Sequence, residues 1–263
     1  MLIDTHCHLT YPGLVEQADT VIDRAVAAGV SRLITIGTDA ADHIQVRKQL
    51  QDSPAVFGAL GIHPHHAHEV APDFIAAMRA HFAQQPKLLA VGECGLDYHH
   101  AEGSHEVQHH VFELQLSLAA KLNLPVILHV RDAHDDALAV VRRYRPTAFV
   151  VHCFTGSTAE VESWLALGAY IGFTGIVTYK NATDVANACK SVPIDRLLVE
   201  TDAPYLSPVP KRSIKINEPS FVVHTAEYIA KLRGVTLKSV AESTTANAVR
   251  LFGNALIAAG AAK

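Results

Sequence analysis

Six side chains able to bind a cation each fall at or near the end of a short apolar run: His6 and His8, Glu93, His129, His152 and Asp202. Four imidazoles and two carboxylates make a mixed nitrogen and oxygen donor set that suits zinc, manganese or iron, with magnesium admissible where waters complete the shell. On an extended stretch side chains alternate, so His6 and His8 share a face and can share an ion, while Cys7 between them points the other way. By itself a His-x-His pair is equally compatible with two structural histidines. What carries the metal reading is six positions in the same register. An isolated ionised Glu or Asp at a buried strand end costs several kcal/mol unless it is paired or bound to a cation, and a shared divalent ion relieves that cost.

Cysteine ligation is the competing reading, because Cys7, Cys94 and Cys153 each directly follow one of these residues. Alternation turns all three thiols away from the site and gives them a structural role. With Cys189 they are far apart and form no Cys-x-x-Cys pair, as expected of reduced thiols.

Something must bring these residues together. Short runs rich in Val, Ile, Leu and Phe alternate with amphipathic stretches, the pattern of β/α units around a parallel sheet. Strands are expected at Leu2–Cys7, Arg32–Gly37, Ala55–Gly61, Leu88–Glu93, Pro125–Val130, Ala148–Cys153, Ala169–Thr174 and Arg196–Thr201. Helices fit between them, such as Val15–Ala28 with Gly29 as its stop and Glu106–Leu122, and one or two more are expected between Leu237 and Ala259. Eight such units in 263 residues predict a (β/α)8 TIM barrel in one domain, 1–263, with its active site where the strands end. An open doubly wound sheet is the alternative, but no glycine-rich phosphate loop follows the early strands.

Composition narrows the function. The chain is 49% hydrophobic and 18% charged, which supports a large core. With 22 basic and 26 acidic residues its net charge is −4, so any nucleic-acid contact must be local rather than a whole-surface field. No run approaches the ~18 apolar residues of a membrane span, and Met1-Leu2-Ile3-Asp4 lacks the features of a signal peptide, so a cytoplasmic protein is expected.

The motifs in order are Ile3-Asp4-Thr5-His6-Cys7-His8, Gly61-Ile62-His63-Pro64-His65, Gly92-Glu93-Cys94-Gly95-Leu96-Asp97, His129-Val130-Arg131, His152-Cys153-Phe154-Thr155-Gly156-Ser157 and Glu200-Thr201-Asp202-Ala203-Pro204. This set resembles the TatD family of metal-dependent deoxyribonucleases over nearly the whole chain. The resemblance implies a β/α barrel related to the amidohydrolases, two divalent ions (Mg, Mn or Zn), and hydrolysis of single-stranded DNA from the 3′ end by a monomer. It also implies that His6, His8, Glu93 and Asp202 hold one ion and Glu93, His129 and His152 the second, with Glu93 bridging. One stretch departs from the family pattern. Pro210-Lys211-Arg212-Ser213-Ile214-Lys215-Ile216 precedes Asn217-Glu218-Pro219 with one residue more than the usual basic turn, which bears on substrate grip rather than on metal ligation.

In this reading Asp202 orients or deprotonates the attacking water, a ligand-only role being the alternative. His63 and Arg131 face the mouth and contact phosphate, and Lys211, Arg212 and Lys215 supply the local positive charge. Glu200 and Asp97 fix the geometry of metal-bound histidines, with capping or surface pairing as the plain account of Asp97. His99, His100, His105, His109 and His110 read as a solvated face without a carboxylate pattern. Two other classes compete with a nuclease. A carbonyl-directed amidohydrolase would commonly bridge its ions with a carboxylated lysine where Glu93 stands here, and a binding module would not need an open metal position.

Overall fold

The computed structural model describes residues 1–100 and 104–258. Its strands and helices alternate as β1 (Leu2–Cys7), α1 (Ala18–Ala27), β2 (Val30–Gly37), α2 (Ala40–Asp52), β3 (Val56–Leu60), α3 (Phe74–Gln84), β4 (Leu88–Asp97), α4 (His105–Leu122), β5 (Val126–Arg131) and α5 (His134–Tyr144). They continue as β6 (Phe149–Val151), α6 (Thr158–Leu165), β7 (Tyr170–Phe173), α7 (Thr183–Ser191), β8 (Leu197–Val199), α8 (Val222–Arg233), α9 (Leu237–Phe252) and α10 (Ala255–Ala258). All eight strands pair in parallel with their sequence neighbours, giving the TIM-barrel order expected. The expected helix end at Ala259 lies outside the described residues.

Alternation sorts the apolar side chains into two cores. Ile34 and Ile36, Phe57 and Ala59, Ile127, Val150, Tyr170 and Leu198 fill the barrel interior, and Leu251, Phe252 and Leu256 close its lower end. Leu33, Val56, Val126, Leu128 and Val151 face outward and pack under the helices. Each fully buried side chain of this kind contributes ~1.5–3 kcal/mol, so both layers are needed to hold the strand ends in register.

Three boundaries move in ways that matter for the site. The strand expected to stop at Glu93 runs on to Asp97, with a register shift between Val91 and Cys94. Conversely, β6 and β8 are three residues each, so His152 and Glu200, expected within strands, lie just past them. Beyond these strand ends Cys153 and Asp202 adopt left-handed backbone conformations, φ 45° and 57°. The segment after His63, not assigned in the sequence, forms a 3-10 helix, Pro64–Glu69, started by the His63 imidazole accepting from the His65 amide.

Candidate metal centre

Closing the barrel assembles the site. Strands β8 and β1 meet through a single bridge between Cys7 and Ala203. At this seam the Asp202 amide donates to the His6 carbonyl at 2.9 Å and the His8 amide donates to the Ala203 carbonyl at 2.7 Å. Asp4 fastens it further, its carboxylate accepting from the Thr201 amide at 2.9 Å and the Thr201 hydroxyl at 2.6 Å. Burial pushes the Asp4 pKa up to about 8 against the pull of those bonds. Sequence reasoning assigned Asp4 no role, although it stands two residues before His6.

The strand period does the rest. His129 continues the inward face of Ile127, His152 that of Val150, and Glu200 that of Leu198. Gly172, in phase with Tyr170, leaves the space that Glu200 occupies: a Cβ there would stand 2.5 Å from the carboxylate.

Seven donor side chains converge. The Nε2 atoms of His6 and His8 are 3.3 Å apart. Glu93 Oε2 lies 3.3 Å from His6 Nε2 and 3.9 Å from His8 Nε2. Asp202 Oδ1 is 3.7 Å and 3.4 Å from the same two nitrogens. The other Glu93 oxygen turns the opposite way, with Oε1 at 2.7 Å from His129 Nδ1, 3.1 Å from His152 Nε2 and 3.6 Å from His63 Nε2.

These separations fit a cation. Donors ~2.0–2.1 Å from a tetrahedral ion lie ~3.3 Å from one another. As a hydrogen bond the His6–His8 contact fits poorly, because one of the two facing imidazole nitrogens must donate to the other. Among these seven donors three triads have all donor atoms within 4.8 Å of one another: His6, His8 and Glu93; His6, His152 and Asp202; His63, Glu93 and His129. The third brings His63, expected as a phosphate contact or a hydrogen-bonded structural histidine, close to these donors.

The facing charges set the protonation states. Burial disfavours the Glu93 carboxylate, but the imidazoles of His152, His63 and His6 and the hydrogen bond from His129 outweigh it and hold the group well below the usual carboxylate range. Burial lowers His6 and drives His63 well down, with neighbouring imidazoles adding to both. Both are therefore neutral, the form that metals bind. At His152 burial is outweighed by Glu93 and Glu200, and the pKa rises well above the ordinary value.

The far nitrogens of three of these histidines are occupied as metal-bound histidines require, while His6 Nδ1 has no partner among the described residues. His152 Nδ1 pairs with Glu200 at 3.1 Å, His129 Nε2 with Asp97 at 3.1 Å, and His8 Nδ1 with the Ile36 carbonyl at 3.3 Å. Glu200 also accepts from the Cys153 amide at 2.6 Å, which holds the turn after His152. The surface-pairing account of Asp97 fails, since its side chain is 1% exposed and sits at the end of β4.

The donors floor a pocket of about 470 Å³. Of the expected substrate contacts, His63 and Arg131 line it, and the buried Arg131 Nε has no partner among the described residues. Lys211, Arg212 and Lys215 do not line it. The Arg212 guanidinium stacks 3.9 Å over the Tyr179 ring and Lys211 Nζ lies 5.4 Å over Phe221, so these two cations are held on aromatic rings, while Tyr205 and Leu206 of the same loop line the pocket.

Two readings of the sequence are corrected. Cys153 lines the pocket instead of facing the helices, because it follows the end of β6 in a left-handed turn where strand alternation no longer applies. Cys7 and Cys94 do lie in the outer core. Nor do the histidines after Asp97 lack carboxylates: His100 Nδ1 is 3.2 Å from Asp97, and His99 Nδ1 is 3.0 Å from Asp132. The missed rim residues Tyr11 and His65 carried a usable signal, since each is three or fewer residues from an expected site residue.

Known proteins resemble this chain over nearly its whole length. The family model described as TatD related DNase matches residues 3–253. The chain is 38% identical over 254 residues to the uncharacterized metal-dependent hydrolase YabD of Bacillus subtilis, covering 96% of this chain and 99% of that one. It is 39% identical over 258 residues to the 3′-5′ ssDNA/RNA exonuclease TatD of Erwinia tasmaniensis, covering 95% and 99%. Among solved structures, the TatD homolog YJJV of Escherichia coli superposes with a TM-score of 0.91 at 30% identity, covering 95% of this chain and 97% of that one.

Proposed function

Because the chain belongs to the TatD-related DNase family, we propose that the mouth hydrolyses phosphodiester bonds of single-stranded DNA from the 3′ end, with two divalent ions (magnesium, manganese or zinc) shared by His6, His8, Asp202, His129, His152 and the bridging Glu93. The observation that supports this reading is the division of Glu93, whose Oε2 faces His6 and whose Oε1 faces His129 and His152. Divalent ions held there would lower the pKa of water and stabilise charge on the phosphoryl oxygens.

The chain's own residues do the positioning. Asp202, 14% exposed at its side chain and lining the pocket, takes the proton from the attacking water. Arg131 donates to a non-bridging phosphate oxygen through the guanidinium left unpaired at Nε. Glu200 and Asp97 hold His152 and His129 in the tautomers that keep their inner nitrogens bare. His63 is neutral, and with Nδ1 accepting from the His65 amide it carries its proton on Nε2, within 3.6 Å of Glu93, suited to donate to phosphate. Lys211, Arg212 and Lys215, outside the pocket, are assigned to the strand beyond the terminal nucleotide. The enzyme is read as a monomer and as cytoplasmic; among the described residues no helix is long and apolar enough to cross a membrane.

The test is a single-stranded oligonucleotide labelled at its 5′ end, incubated with protein and Mg²⁺, Mn²⁺ or Zn²⁺. A ladder shortening from the 3′ end is expected. Hydrolysis of small esters or amides with the oligonucleotide left intact would assign the site to carbonyl chemistry instead.

A further inference from the structure

Next to the inner donors, on the rim of the same mouth, a second set of imidazoles surrounds one carboxylate. We propose that His65, Asp97 and His100 form a separate outer site for a divalent ion of the zinc class, with coordination positions left open toward the solvent. None of the three is among the donors assigned to the inner ions, and the site does not depend on how many ions those donors hold.

Geometry carries the case. Asp97 Oδ2 is 2.9 Å from His65 Nε2 and 3.2 Å from His100 Nδ1, and the three donor atoms lie within 4.8 Å of one another. A tetrahedral ion with bonds of ~2.0–2.1 Å sets its donors ~3.3 Å apart, so the cradle already has the needed size. The two histidines come from different parts of the chain, His65 from the 3-10 helix after β3 and His100 from the turn after β4, so the triad is not a by-product of one helical face.

Hydrogen bonding alone leaves the cluster over-supplied. Asp97 Oδ1 is taken by the amides of His99 and His100, both at 2.9 Å. The remaining oxygen, Oδ2, is approached by His65, His100 and also His129 at 3.1 Å. A carboxylate oxygen offers two lone pairs. Three imidazole N–H groups exceed that capacity, whereas a cation between His65, His100 and Oδ2 uses the lone pairs of both imidazoles and leaves His129 as the single donor.

Exposure then says what kind of site this is. The Asp97 side chain is 1% exposed, His65 31% and His100 58%. The carboxylate is the buried floor and the imidazoles are the rim, so three protein ligands close one side and the other faces the pocket, as in open rather than structural metal sites. Two nitrogens and one oxygen favour zinc over magnesium. The open side would take water or a phosphate oxygen, and this last step alone rests on the substrate proposed above.

Protein stripped with a chelator, dialysed against Zn²⁺ and then against metal-free buffer, tests the site by its zinc content per chain. His100→Ala and His65→Ala should each hold about one equivalent less than the unmodified protein, with thermal unfolding of the metal-free form unchanged for His100→Ala because that side chain is largely in solvent. Equal zinc content in the unmodified protein and in His100→Ala would overturn the outer site. Glu93→Ala separates the two readings: if it matches the unmodified protein while His100→Ala falls by one equivalent, the inner centre is refuted and the outer one stands.

Discussion

Histidines occur in this chain in two neighbouring settings that behave differently. At the strand ends, His6, His8, His129 and His152 are held by the ladder and its closure, stack at distances as short as 3.6 Å between His6 and His152, and turn nitrogens toward shared carboxylates. Around α4, His105 and His109 instead gather about Tyr98, one stacked 3.8 Å from its ring and the other bonded to its hydroxyl at 2.7 Å, and His110 faces solvent. The residue type is the same and the local density is similar. A rigid strand repeats side-chain direction every second residue and places several strands within reach of one point, whereas an exposed helix face spreads its histidines around a cylinder. Convergence, rather than abundance, makes a metal centre.

The comparison breaks most decisively at Glu93. Glu93→Ala should abolish the inner ions and lower kcat a thousandfold or more, ~4 kcal/mol of transition-state stabilisation, measured by elemental analysis beside oligonucleotide kinetics. Full metal content in that variant would place the centre elsewhere.

One layer outward the effect should shrink. Glu200→Gln keeps the shape but weakens the acceptor for His152 Nδ1 and the Cys153 amide; a loss of ~10–100-fold in metal affinity or turnover is expected, with little change in oligonucleotide KM. Competitive metal titration against a chelating dye would measure it.

A third setting sharpens the contrast by pH. His43 lies buried in the helix layer, donating from Nε2 to the Gly61 carbonyl at 2.7 Å, away from the inner donors. Burial lowers its pKa, with His81 adding, against the pull of that carbonyl. The folded form therefore binds fewer protons than the unfolded chain, whose value is near 6.5. Its contribution is complete above 6.5 and is lost as pH falls from there through the folded value, at up to ~1.4 kcal/mol per pH unit. Urea midpoints of the chelator-treated protein and His43→Gln between pH 7.5 and 5 should show a steeper loss in the former; parallel curves would remove His43 from the account.

The smallest effect belongs to the exposed helix. His110→Ala should change stability by no more than ~0.5 kcal/mol and leave turnover within about twofold. A large loss of activity there would overturn the view that these histidines stand outside the chemistry.

What local sequence determined here is everything with a short period. Eight apolar runs dictated eight parallel strands, and the residues two apart in His6 and His8 dictated a shared face. The strand ends that carry His129 and Glu200 were legible from the same alternation. Tertiary structure decided the rest, because it depends on chain segments that meet only on closure. The seam between β8 and β1 carries Asp202 to His6, and Asp4 to Thr201, across some two hundred residues of sequence. The bulge in β4 extends that strand past Glu93, so that Asp97 ends beneath His65. The loop from Tyr205 to Pro219 presents the Tyr205 ring to the pocket and Arg212 and Lys211 to Tyr179 and Phe221, a choice that rests on packing partners no local pattern names. Periodicity fixes the direction of a side chain relative to its own backbone; which other backbone it meets is settled only when the barrel closes.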